Sequence, residues 1–83
     1  MDRIVICVHP FIMRQEIDVY KDGQCVEHKE CLVNDISDVC YSLCRKHNIH
    51  QVAYIGNEDF GKKIEEQINI YKYNNFDIQF DYY

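Results

Sequence analysis

Two short runs without a polar residue limit what this chain can fold into. Ile4-Val5-Ile6-Cys7-Val8 follows Arg3 unbroken, and Val52-Ala53-Tyr54-Ile55 stands within a second candidate strand, His50–Ile55. A strand with one face in water alternates apolar and polar residues. A run that fails to alternate belongs inside a sheet, covered on both faces. Two such runs place the centre of a sheet at Arg3–Val8 and His50–Ile55.

The other segments alternate or change period. Met13–Tyr20 sets Met13, Gln15, Ile17 and Val19 against Arg14, Glu16, Asp18 and Tyr20. Asp22-Gly23 follows, a hairpin signal because both turn positions take positive φ. Gln24–Val33 alternates again, with Val26, His28, Glu30 and Leu32 on one side and Cys25, Glu27, Lys29 and Cys31 on the other. Its charges suit an edge strand. After Asn34-Asp35, either able to cap a helix, Ile36, Val39, Cys40, Leu43, Cys44 and His47 recur on a helical stripe. Arg45-Lys46 complement the dipole at its end, and Asn48 is a left-handed C-cap. Asn57 caps a second helix whose buried face is Phe60, Ile64, Ile68 and Tyr71. Gly61 costs that helix about 1 kcal/mol against alanine. Asn74-Asn75 turns the chain into a last strand, Phe76–Phe80, followed by Asp81-Tyr82-Tyr83.

The order β-β-β-α-β-α-β predicts an α/β fold with a mixed five-stranded sheet in the order 3-2-1-4-5. Only the second strand runs against the others, and the two apolar strands lie side by side at the centre. Right-handed crossovers put both helices on one face. Residues 1–83 form a single domain, at the size where one core is only just sufficient.

This element order resembles the ribonuclease H-like superfamily, which includes the actin-like ATPase domains and the Holliday-junction resolvases. Ile6-Cys7-Val8-His9-Pro10 is similar to the resolvase-type first strand, where an aspartate-proline step usually stands. The resemblance implies that His9 occupies the place of a metal-binding aspartate. The acids nearest the family's second carboxylate position are Glu58 and Asp59. Magnesium prefers oxygen ligands, so His9 is no simple substitute. Pro10-Phe11-Ile12 is too bulky for a phosphate-binding glycine loop. Both inherited activities are therefore disfavoured, with His9, Glu58 and Asp59 as the alternative catalytic set for a divergent nuclease-like or nucleic-acid-binding protein. The chain also ends before the family's usual last helix. That leaves the second sheet face to be covered by aromatic side chains or by a second copy, a homodimer being the simpler closed arrangement.

Composition narrows the partners. The net charge is −5, from 14 acids and 9 bases distributed over both halves, which supplies no basic stripe for nucleic acid. No run approaches a membrane span, and five cysteines without a signal-like leader point to free thiols in the cytoplasm. Richness in isoleucine, tyrosine and asparagine is the mark of AT-rich coding, as in a low-GC bacterium or its phage.

The chemical candidates have simpler readings. Cys25-x2-His28-x2-Cys31 has ligand-like spacing, yet on a regular strand His28 faces away from both cysteines. Cys40, Cys44 and His47 share a helix face that is also apolar, which favours core packing. Cys7 and His9 lie on one strand face but lack an identifiable orienting group. No metal or other cofactor is expected. Seven tyrosines favour protein contacts, with Tyr54, Tyr82 and Tyr83 as interface candidates. The expectation is a non-catalytic protein-binding or assembly module that self-associates through an exposed sheet face or edge.

Overall fold

The computed structural model describes residues 2–9, 14–70 and 77–82, with side chains beyond Gln67 in the second helix left aside. Five strands, β1 (Arg3–Cys7), β2 (Arg14–Lys21), β3 (Gln24–Leu32), β4 (Gln51–Gly56) and β5 (Asp77–Tyr82), form one sheet in the order β3-β2-β1-β4-β5. The helices are α1 (Ile36–His47) and α2 (Glu58–Ile70). β1 pairs in parallel with β4, and β4 with β5, while β2 runs antiparallel to both β1 and β3. This is the expected topology, with both helices packed over one face of the sheet.

Local chemistry explains the joins. Asp22 and Gly23 take φ of 53° and 78°, closing the β2–β3 hairpin as expected. Asn48 ends α1 in the left-handed conformation, its N–H shared between the carbonyls of Arg45 and Cys44. Asn57 Oδ1 accepts the backbone N–H of Phe60 at 3.0 Å and so caps α2. The start of α1 differs from expectation. A 3-10 turn over Val33–Asp35 leads into it, and Asp35, at the cap position of α1, makes no side-chain cap bond. The Asn74-Asn75 turn, Met13, Ile68 and Tyr71 lie outside the described residues or side chains.

One face of the sheet builds the core. Ile4, Ile6 and Val8 meet Ile17, Val19, Val52 and Tyr54, and α1 lays Ile36, Cys40, Leu43 and Cys44 over them. Ile4, Ile6 and Ile17 are fully buried, contributing roughly 1.5–3 kcal/mol each relative to exposure. Ile64 of α2 closes the β4–β5 side with Phe60, Ile78 and Phe80.

Tyr54 is a correction to the expected interface. It has no exposed surface and stands on the helix side, tilted against Phe80 with ring centroids 5.6 Å apart. An all-apolar strand carries no sign of which residue faces which way, and the large ring went to the deeper side. Tyr82 shares that side, paired beside Gly56, and remains 40% exposed. Tyr83 lies outside the described residues.

Candidate functional site on the open sheet face

Among the described residues, no helix covers the second face. The register places Arg3, Val5 and Cys7 of β1 there, flanked by Tyr20, Asp18 and Glu16 of β2 and by Ala53 and Ile55 of β4. Gln51, Ala53 and Ile55 are followed outward by Asp77, Gln79 and Asp81 of β5. The apolar part is thus a narrow strip under the two central strands. Val5 is buried, Ala53 half-buried, and Ile55 38% exposed. Arg3, Val5, Ala53, Ile55 and Gln79 line a shallow depression in it. Alternation on β2 and β5 borders the strip with charge, so the face is less apolar than β1 and β4 alone imply.

Beside the strip, β2 and β3 bring Glu16, Asp18, His28 and Glu30 onto the same open face. Glu16 stands directly opposite Glu30, and Asp18 directly opposite His28. Asp18 Oδ1 accepts a hydrogen bond from His28 Nδ1. That bond, above all, holds the His28 imidazolium to higher pH than usual. His28 Nε2 lies 3.8 Å from Glu30 Oε1, and His9 Nε2 lies 3.5 Å from Glu16 Oε2. One ligand atom from each of Glu16, His28 and Glu30 falls within 4.8 Å of the others.

Sequence spacing could not place Cys25. Val19 pairs with Glu27 while Tyr20 pairs with Cys25, so Val26 is an extra residue on β3. The bulge reverses the parity of the strand start and brings Cys25 Sγ to 4.0 Å from Asp18 Oδ1, on the same face as His28. Cys31 stays on the helix side, buried beside Gln15. The three members of the ligand-like spacing therefore still do not meet.

His9 sits at the mouth of the β1–β2 connection. Gln15, itself buried, accepts the His9 backbone N–H at 2.5 Å and returns its amide to the His9 carbonyl at 3.1 Å. Side-chain amide and backbone thus close the end of β1. The imidazole turns to Glu16 on the open face, whereas Glu58 pairs with Lys62 on the exposed surface of α2. His9, Glu58 and Asp59 form no group of three close ligand atoms. Cys7, next to His9, gains no activation: burial first, then Asp18 and Glu16, push its thiol pKa up. That is the reverse of what a nucleophile needs.

On the helix side, Cys40 and Cys44 are core residues, and Cys40 is held protonated by its bond to Cys44 and by burial. His47, in the last turn of α1, reaches Glu27 of β3. A groove between the two helices is lined by Val33, Ser37, Phe60 and Ile64 together with Lys63 and Glu66. No helix is long and apolar enough to cross a membrane among the described residues. No protein-family model, no curated protein and no solved structure matches the chain.

Proposed function

We infer that this chain is a non-catalytic protein-binding module that pairs with a second copy of itself through the open face of its sheet. The observation that carries this reading is the strip of Val5, Ala53 and Ile55 on a face where the described chain lays no helix. Strands that are apolar on both sides are ordinarily covered on both sides.

Charge around the strip suits a twofold-related copy. Arg3 lies at the end of β1 nearest Gln51, while Glu16 and Asp81 flank the opposite end beside Cys7 and Ile55. Two copies stacked with antiparallel strands bring Arg3 of each over the acids of the other. Isologous pairing of this kind closes at two subunits. The acids at 16, 18, 30, 77 and 81 oppose a nucleic-acid backbone on the same face. Five free thiols suit a reducing cytoplasm, where we place the protein.

Sedimentation equilibrium tests the pairing. Wild-type protein is expected to reach the mass of two chains as concentration rises, and Ile55→Glu to remain at one. Ile55 is already partly exposed, so the substitution leaves the core untouched. A wild type that keeps the mass of one chain at every concentration defeats the reading.

A further inference from the structure

We propose that Glu16, His28 and Glu30 bind a divalent transition-metal ion of the zinc type on the open face of the β2–β3 ribbon. The site goes beyond the pairing above and is complete within one chain. Its first support is the donor set: an imidazole nitrogen and two carboxylates whose nearest atoms lie within 4.8 Å of one another. Bonds of about 2.0–2.2 Å to zinc set neighbouring donors roughly 3.3 Å apart, so the side chains must close by about 1–1.5 Å. Glu30 and His28 are exposed and Glu16 half-buried, which leaves them the rotamer freedom to do so.

The orientation of His28 is a second and independent support. Asp18 Oδ1 accepts the hydrogen bond of the Nδ1–H, which leaves Nε2 as the nitrogen facing Glu30. A carboxylate on the far nitrogen of a ligating histidine fixes tautomer and ring direction, the arrangement that metal-binding histidines ordinarily show. Asp18 thereby acts as a positioning residue. A third support is electrostatic. Glu16 and Glu30 oppose each other across the strands, and like charges so placed are destabilising. The ion pairs they make are with the imidazoles of His9 and His28, and a cation relieves the repulsion more fully. Imidazole selects zinc over magnesium, and three protein ligands leave a fourth position for water or for His9 beside Glu16.

Calorimetric titration of metal-stripped, reduced protein with zinc chloride, at mildly alkaline pH where imidazole is free to ligate, reads the site. One equivalent of zinc is expected to bind, with magnesium at least a hundredfold weaker. His28→Ala and the isosteric Glu30→Gln are each expected to remove stoichiometric binding while circular dichroism stays unchanged. Asp18→Asn is expected to weaken affinity by about 10–100-fold. His50→Gln, at an exposed histidine outside the site, is expected to change nothing. Zinc affinity unmoved by Glu30→Gln overturns the assignment, as does an equal loss on His50→Gln. Loss of binding on Cys25→Ser, with a thiolate charge-transfer band when cobalt replaces zinc, overturns it in favour of the neighbouring thiol. Unchanged affinity in Asp18→Asn overturns the orienting role.

Discussion

Glu27 on β3 accepts a hydrogen bond from His47 Nε2 on α1 at 2.7 Å, and Lys46 Nζ reaches the same carboxylate oxygen at 3.0 Å. An edge strand is thereby tied to the last turn of the helix above it, where cations also complement the helix dipole. The His47 bond, then the Lys46 bond, pull the Glu27 carboxyl from 4.5 down to about 2. A carboxylate with a depressed folded pKa stabilises the fold fully above its unfolded value, and loses that contribution as pH falls through the folded one. Wild-type protein is therefore expected to resist urea better than Glu27→Gln at neutral pH. The gap between their midpoints should close between pH 4.5 and about 2, measured with chelator present. A gap that holds constant to the acid end would mean that charge has no part in the tie.

The five cysteines should separate by environment rather than by sequence spacing. Cys25 is exposed at the strand start, and Cys7 is half-buried among acids that disfavour its thiolate. Cys31, Cys40 and Cys44 are buried, and burial raises the pKa of Cys31 ahead of any charge effect. Titration with a disulfide reagent under native conditions should show Cys25 reacting first and Cys7 slowly. The buried three should react only when urea unfolds the chain. Prompt reaction of Cys40 in folded protein would contradict the packing described.

The sheet order was legible because three kinds of signal agreed. Ile4–Val8 and Val52–Ile55 do not alternate, Asp22-Gly23 takes the positive φ its turn requires, and Asn48 and Asn57 punctuate the helices. Side-chain direction was less legible. Continuous apolar strands hide their parity, so Tyr54 read as a surface residue when it is core. The bulge at Val26 is invisible in the alternation of β3, and it alone moves Cys25 to the face of Asp18 and His28. His28, Glu16 and Glu30 were missed as a group because they come from two strands. The cross-strand register set by the hairpin is the signal that would have found them.

Tyr54 illustrates the cost of a buried hydroxyl that has its partner. Its OH donates to the Asn57 carbonyl at 2.7 Å, and the same carbonyl accepts the Gly61 N–H at 3.1 Å. Tyr54→Phe removes one donor without orphaning the acceptor, so chemical denaturation should show a loss of about 1 kcal/mol. Tyr54→Ala also empties the volume between Phe80 and Tyr82, whose rings lie 5.6 and 6.0 Å from its own. A loss of about 3–5 kcal/mol is expected there. That is a large share of the roughly 5–10 kcal/mol available to a domain of this size.

Gly61 reverses the simplest reading of a glycine inside a helix. On propensity alone, Gly61→Ala should stabilise α2 by about 1 kcal/mol. A Cβ at that position would lie 2.5 Å from Tyr82 Cε1 and 3.0 Å from Tyr54 Cε1. Tyr82 is 40% exposed and can yield, but Tyr54 is fully buried and bonded to Asn57, so the second contact has no easy relief. Overpacking of this kind costs about 1–3 kcal/mol, which outweighs the helical gain. Gly61→Ala is therefore expected to lower the melting temperature. In a Tyr82→Ala background the nearer contact disappears while the Tyr54 contact remains, so the same substitution should cost less but still destabilise. Positive coupling between positions 61 and 82 in that double-mutant cycle is the required result. A stabilising Gly61→Ala in the wild-type background would show that α2 does not approach β5 this closely.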